Sequence, residues 1–242
     1  GTELFAAAAH AGAVAALAIS ADGELVATAG RDGTLRVWRA ADGARELELG
    51  GREGSLRALA FAPRDGAIVA AGDDGAVRLW RLEATARPEL LWTATDPVSA
   101  LALTADERHL LAAGWDGQVT VGDLGARAEL RRLAGDQGPI HGLAASPDGR
   151  FAATAGEDGS ARLWEIGGGR LLRTLSGHYG AVRAVAFTPD GRSLLTAGED
   201  GTLRLWDLRS GAQRQVVSGH AGAVAAVAMG GDGSSALSAG AD

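Results

Sequence analysis

Short apolar runs separated by turn signals make up most of the chain. Between residues 177 and 207, an apolar run at 182–187 leads into a turn that contains Pro189 and Gly191, and a second run follows at 193–197. Proline presets one turn dihedral and glycine supplies a positive φ, so the segment between the runs indicates a tight turn. Two adjacent β-strands are therefore predicted here.

A third run, at 202–206, alternates apolar and other residues, which is typical of a half-buried strand. Asp200-Gly201 precedes it and is a strong hairpin signal between two β-type runs. A fourth run follows at 213–217, and no stretch longer than one run has helical periodicity. The pattern therefore predicts four short antiparallel strands in this unit.

The same unit recurs with a step of 42 residues and without insertion or deletion: Trp38 and Trp80 differ by 42, as do Trp164 and Trp206. Other positions that keep this register are Gly30, Gly72, Gly114, Gly156, Gly198 and Gly240; Asp32, Asp74, Asp116, Asp158, Asp200 and Asp242; and His10, His178 and His220. Gly122 occupies the vacant tryptophan position. Four short strands per unit, with periodic glycine and aromatic markers, are typical of a β-propeller blade.

The units resemble WD40 repeats, in which Gly-His near one end and Trp-Asp near the other mark a repeat of about 40–45 residues. Gly177-His178 with Trp206-Asp207 is the full signature. The other copies end in Trp38-Arg39, Trp80-Arg81, Gly122-Asp123 and Trp164-Glu165. The resemblance covers essentially the whole chain and implies an all-β, WD40-type β-propeller.

We expect six blades in a single domain over residues 1–242, with repeats at about 10–51, 52–93, 94–135, 136–177, 178–219 and 220–242 plus 1–9. The sixth unit stops before its third strand. Because propellers commonly close with a strand that removes exposed edges, residues 2–7 are expected to complete this last blade. The alternative is a fragment of a propeller with seven or more blades.

The resemblance also implies a buried hydrogen-bonded tetrad of His, Ser/Thr, Asp and Trp in each blade. Complete sets are His10, Thr28, Asp32, Trp38 and His178, Thr196, Asp200, Trp206. The fourth repeat has Asp136 for His, the second has Arg52 and Ala70, and the third has Ala94, Ala112 and Gly122. His, Asp and Ser/Thr together also suggest a hydrolase triad. Recurrence in several repeats and the fourth partner, tryptophan, favour a structural brace instead.

Partner binding is expected on the propeller's top face, which the family forms from the residue before the hairpin Asp and from the start of the innermost strand. The candidates are Trp115, His141, Arg57, Arg183, Glu157, Glu199, Asp73 and Arg31. Trp115 is unusual because other repeats place a charge there, and exposed Trp with Arg is typical of interaction hot spots. The alternative is that Trp115 packs over the gap left by Gly122.

Composition excludes several function classes. The net charge of −7 disfavours a sequence-independent hold on nucleic-acid phosphates, and no apolar run approaches the roughly 20 residues of a membrane span. Every basic residue is arginine, an association with GC-rich bacterial genomes, and no cysteine is present. The acidic hairpins and Gly167-Gly168-Gly169 lack the spacing of a calcium or phosphate loop, so no metal or cofactor is expected. A monomeric, cytoplasmic protein is favoured.

Two functions of different classes are compatible with these residues. The first is a non-catalytic scaffold that binds a protein or peptide; because the chain starts at Gly1 rather than Met, we expect a domain of a larger protein. The second is a propeller enzyme or small-ligand-binding propeller with a site at the central channel. Only His109 and His141 are unrepeated candidates for that site.

Overall fold

The structure is a computed structural model, which describes residues 6–50, 54–62, 66–83, 87–135 and 138–242. Within these residues it contains 22 strands and no helix. The all-β prediction is confirmed. By their contacts the residues divide into two compact units, Gly1–Leu101 and Ala102–Asp242, with the boundary inside strand β9.

The strands form antiparallel sheets that follow one another along the chain. The first sheet has β1 (Val14–Ile19), β2 (Leu25–Gly30), β3 (Thr34–Arg39) and β4 (Arg45–Gly50); the second has β5 (Leu56–Ala62), β6 (Ala67–Gly72), β7 (Ala76–Arg81) and β8 (Glu89–Thr93). The third has β9 (Val98–Leu103), β10 (His109–Gly114), β11 (Gln118–Asp123) and β12 (Ala128–Ala134).

The remaining three sheets lie in the second unit. The fourth has β13 (Ile140–Ala145), β14 (Phe151–Gly156), β15 (Ser160–Glu165) and β16 (Arg170–Ser176); the fifth has β17 (Val182–Phe187), β18 (Ser193–Gly198), β19 (Thr202–Asp207) and β20 (Gln213–Ser218); the sixth has β21 (Val224–Met229) and β22 (Ala236–Gly240). The closing strand expected over 2–7 falls largely on residues outside the described ranges, and Ala6 and Ala7 lie in no strand. Closure by this strand stays a prediction.

In each four-stranded sheet, no strand is more buried than the second. In the fifth sheet all six residues of β18 are buried, whereas all six of β20 are exposed. A central strand has hydrogen-bonded neighbours on both edges, and β18 lies between β17 and β19. The outer strand instead carries polar side chains such as Gln213 and Gln215.

Apolar faces of neighbouring sheets pack to form the core. In the first unit, Leu35 and Val37 of the first sheet share a cluster with Ile68 and Trp80 of the second. In the second unit, one cluster joins the fourth and fifth sheets. Its buried members are Ala153, Ala155, Ala161, Leu163, Leu175, Val182, Val185, Phe187, Leu194 and Trp206.

Each sheet has two ends of different chemistry. We call the end with the hairpin between second and third strands the hairpin end, and the opposite end the turn end. In the fifth sheet the hairpin at Asp200-Gly201 has a bond from the Gly201 N–H to the Gly198 carbonyl (3.3 Å), and Gly201 has a φ of 73°. At the turn end, the Gly191 N–H donates to the Thr188 carbonyl (2.8 Å).

Candidate functional site

The fifth sheet contains a complete polar tetrad. The Trp206 indole N–H donates to Thr196 Oγ1 (2.9 Å), and His178 contacts Thr196 Oγ1 through Nε2 (2.7 Å) and Asp200 Oδ1 through Nδ1 (3.0 Å). A carboxylate only accepts, so His178 Nδ1 carries the proton and Nε2 accepts from the Thr196 hydroxyl. The four groups therefore form one chain of hydrogen bonds with consistent donor directions.

Backbone geometry brings His178 into this chain. Gly198 precedes the hairpin, and a Cβ atom at that position would lie 2.3 Å from His178 Nδ1. Glycine is therefore required there, because any side chain would displace the imidazole. The same relation holds in the first sheet, where a Cβ at Gly30 would lie 2.2 Å from His10 Nδ1.

The environment of the tetrad shifts two pKa values. Burial by itself raises the pKa of Asp200, but hydrogen bonds from His178, from the Thr202 hydroxyl and from the Tyr179 N–H outweigh it and hold that pKa well below its usual range. Burial lowers the pKa of His178, and its hydrogen bond to Asp200 offsets this only in part. An anionic Asp200 beside a neutral His178 is the favoured state at neutral pH.

Other repeats keep this arrangement to different extents. In the first sheet, His10 contacts Thr28 (2.9 Å) and Asp32 (3.0 Å), and the Trp38 indole donates to Thr28 (3.0 Å). In the fourth, the Trp164 indole donates to Thr154 (3.2 Å); Asp136 lies outside the described residues, as does Arg52 of the second repeat.

The sixth sheet has the tetrad without tryptophan. His220 contacts Ser238 Oγ (2.8 Å) and Asp242 Oδ1 (2.7 Å). Taken alone this resembles an Asp-His-Ser triad, but the distances match those of the first and fifth sheets, where the hydroxyl also accepts from an indole. The geometry is that of a repeated brace and gives no single reactive centre.

The predicted partner-binding residues lie at the hairpin ends. In the second, fourth and fifth sheets the first strand has a register shift that skips Arg57, His141 and Arg183. A β-bulge re-aims the side chain of the extra residue, and each of these residues contacts the carboxylate sixteen positions further on. The pairs are Arg57–Asp73, His141–Glu157 and Arg183–Glu199.

Two of these pairs join into one network across the fourth and fifth sheets, which we call the hairpin network (His141, Glu157, Arg183, Glu199). Arg183 Nη1 lies 3.1 Å from His141 Nδ1 and 3.2 Å from His141 Nε2. The Arg183 guanidinium, and secondarily the Ala181 N–H, lower the pKa of Glu199. The network therefore carries ionised side chains at the surface, with Glu157 half exposed.

The remaining candidates belong to the first three sheets. Trp115 precedes the hairpin Asp of the third sheet, where the fourth and fifth sheets have Glu157 and Glu199, and 45% of its surface is exposed. Arg57 and Asp73 form their pair in the first unit. Arg31 is exposed, and the residue sixteen positions before it, at the bulge, is Ala15 rather than a charged residue.

A model of one protein family matches five segments of the chain. The family is described as WD domain, G-beta repeat, and the matched residues are 1–39, 44–81, 89–123, 127–165 and 169–207. The chain belongs to the WD40-repeat family. None of the curated proteins compared with the chain matches it.

The tetrads recur with the WD40 repeat, as expected of groups that stabilise each blade. Candidate binding residues are therefore side chains that differ from one repeat to the next. Across the described ranges, no three His, Asp or Glu side chains are grouped so that they could hold a metal ion. The same ranges contain no helix of the length and apolarity that crossing a bilayer requires.

A cluster of arginines that the sequence pattern did not indicate lies at the turn ends of the fourth and fifth sheets. Arg173, Arg192, Arg209 and Arg214 line one cleft there. They come from three segments of the chain, with only Arg209 and Arg214 close in sequence, so no local motif indicated them. The one available signal was that Arg209 and Arg214 have no arginine at the equivalent positions of other repeats.

Proposed function

We propose that this WD40 protein is a non-catalytic scaffold that binds a protein or peptide partner at the hairpin ends of its second unit. The contact surface consists of Trp115 and the hairpin network. The observation that supports this most directly is the network itself, in which four variable, partly exposed polar residues of two neighbouring sheets contact one another.

Fold stability is a poor explanation for these ion pairs. Arg183 and Glu199 have 33% and 37% of their side-chain surface exposed. Exposed pairs contribute about 0–1 kcal/mol at most, because water screens them and two long side chains lose freedom. The first and sixth sheets place Ala15 and Ala225 at the bulge position instead. The blade fold therefore does not demand a charge there, and binding is the better reason.

Trp115 lies beside this network. A Cβ at Gly117, on the Trp115 hairpin, would lie 2.8 Å from the Gly138 carbonyl oxygen, and a Cβ at Gly138 would lie 3.8 Å from Glu157 Cβ. The Trp115 hairpin and Glu157 thus approach the same glycine. A half-exposed indole beside an Arg-containing charged cluster has the composition of an interaction hot spot.

The alternative function, an enzyme with its site at the central channel, lacks a convergent set of reactive groups. His109 begins β10 at the turn end, while His141 lies at the hairpin end of the fourth sheet. A strand of six residues is roughly 20 Å long, so the two unrepeated histidines do not face one reacting atom. This separation supports the scaffold over the enzyme.

Quantitative capture from native lysate tests the proposed surface. We expect immobilised wild-type protein to retain a specific partner that the Trp115→Ala, Arg183→Ala double variant loses. The matched control is Leu130→Ala with Arg170→Ala, which removes an equally exposed apolar side chain and an exposed arginine from outer strands. Equal capture by wild type and the Trp115/Arg183 variant would show that the partner does not use this surface.

A further inference from the structure

A cleft of about 800 Å³ opens between the fourth and fifth sheets at their turn ends. Its floor is apolar: Phe151, Leu172 and Leu208 line it and also pack against the buried core cluster of these two sheets. The cleft is thus an open extension of the core. Its volume falls in the range of sites that hold small molecules or short peptide segments.

Arginines form the walls of this cleft. Arg173 Nη2 donates to the Arg209 carbonyl (2.8 Å), and the Arg173 side chain packs over Gly211, where a Cβ would lie 3.3 Å from its Cδ. Arg214 contacts Asp207. These bonds fix two guanidinium groups on the apolar floor before any ligand binds.

Two further arginines are available for a ligand. Arg192 and Arg209 are exposed, and among the described residues no hydrogen bond or close ion pair holds their guanidinium groups, although Arg192 lies near enough to Asp190 to help lower the pKa of that carboxyl. The single acidic lining residue, Asp207, remains ionised because hydrogen bonds from Ser210 and then Arg214 lower its pKa to about 2. Four arginines against one carboxylate give the lining a charge of +3, whereas the whole chain carries −7.

The repeat itself does not require these arginines. Forty-two residues earlier, the equivalents of Arg209 and Arg214 are Gly167 and Leu172. Three repeats earlier, the equivalents of Arg173, Arg192, Arg209 and Arg214 are Leu47, Gly66, Glu83 and Pro88. Arg173 and Arg192, however, correspond to Arg131 and Arg150 one repeat earlier. Only Arg209 and Arg214 have no arginine counterpart in another repeat, and the charge that they add is specific to this cleft.

We propose that this cleft is a second binding site, which takes an acidic peptide segment of a partner protein with one apolar side chain. The apolar side chain lies on Phe151, Leu172 and Leu208, and flanking carboxylates bind Arg192 and Arg209. Guanidinium groups bind carboxylates through two parallel hydrogen bonds. A nucleic acid fits less well, because an apolar floor offers nothing to phosphate and the acidic chain repels a long polyanion.

This site is independent of the hairpin surface, because it lies at the opposite ends of the strands. Fluorescence polarisation with a labelled Gly-Ser-Asp-Glu-Phe-Glu-Asp-Gly-Ser-Gly peptide tests it. We expect binding that weakens by at least about tenfold in the Arg192→Glu, Arg209→Glu variant, since each reversal replaces a charge-assisted contact by repulsion. The Trp115→Ala variant should bind this peptide as the wild type does.

The matched control is Arg39→Glu with Arg45→Glu, which makes the same change in net charge at side chains that are about half exposed. It should reduce affinity by less than about twofold, a difference that long-range charge alone can produce at moderate salt. Far-UV circular dichroism checks folding, and Arg192→Gln with Arg209→Gln replaces the charge reversal if that variant misfolds.

Two changes in the peptide test the chemistry. Replacing its acids by Asn and Gln, or its Phe by Ser, should each weaken binding by about fivefold or more. If the peptide with Asn and Gln in place of its acids binds as tightly as the acidic peptide, the proposal is wrong. It is also wrong if the control variant and the cleft variant bind the acidic peptide with equal affinity. A single-stranded oligo-dT that displaces the labelled peptide at lower concentration than unlabelled peptide does would also overturn it, in favour of a polyanion site.

Discussion

The second and fifth sheets each bury a tryptophan at the equivalent position, but the polar groups around the two indoles differ. Trp206 of the fifth sheet donates to Thr196 within a complete tetrad. Trp80 of the second sheet is 2% exposed, and no described residue accepts a hydrogen bond from its indole N–H. The reason is the strand beside it: Ala70 occupies the position that Thr196 has three repeats later.

This difference separates two roles of the blade tryptophan. Trp80 packs in the core with Leu35, Val37 and Ile68 although no described residue accepts a hydrogen bond from its N–H. Burial of the large ring therefore holds the sheets together, and the hydrogen bond adds orientation and a smaller increment of stability. Packing alone can therefore form a blade, and the complete tetrad adds hydrogen bonds to it.

The largest effect should follow from making the fifth sheet resemble the second. Thr196→Val keeps the shape of the side chain but removes the acceptor for Trp206 and the donor for His178. We expect a loss of about 2–4 kcal/mol in the free energy of unfolding, because two buried polar atoms lose their partners. Urea unfolding followed by far-UV circular dichroism measures it. Thr174→Val, on an exposed strand, is the control; an equal effect of both variants would contradict the role assigned to the tetrad.

A smaller effect of opposite sign should follow from the reverse change in the second sheet. Ala70→Thr places a hydroxyl at the position equivalent to Thr196, where it can accept a hydrogen bond from the Trp80 indole N–H. We expect this bond to raise the free energy of unfolding by about 1 kcal/mol. Ala70→Val adds nearly the same volume without the hydroxyl. If Val stabilises as much as Thr, then filling space rather than the hydrogen bond is responsible.

The smallest effect should be a pH dependence that belongs to the fifth sheet. The pKa of His178 is lowered by folding, so the unfolded chain binds more protons, and stability is full above about 6.5 and declines as pH falls below it toward the folded pKa. The lowered pKa of Asp200 adds a second loss, which begins below its usual value of 3.8.

Thermal unfolding at pH 7.5 and 5.5 tests the His178 contribution. His178→Gln should be less stable than wild type at pH 7.5 but should lose less stability on acidification. His109, whose ring is outside any tetrad, supplies the control His109→Gln. A wild-type loss that persists unchanged in His178→Gln would assign the pH dependence to other groups.

The residues of the hairpin surface could be predicted from the sequence, but their contacts could not. The register identified Glu157, Glu199, His141 and Arg183 individually. It did not predict that bulges in β13 and β17 turn His141 and Arg183 toward carboxylates sixteen residues later, because a bulge depends on how two strands pair. The contact between His141 and Arg183 also joins two separate sheets.

By itself, the sequence determined the strands, the turns, the 42-residue register and the members of each tetrad. These are local properties: alternation marks a strand, Asp-Gly marks a hairpin, and a strict period places equivalent residues in equivalent blades. Only the tertiary structure decided which of these side chains meet. The hairpin network and the arginine cleft arise where separate sheets pack, and such contacts depend on distances that no local pattern encodes.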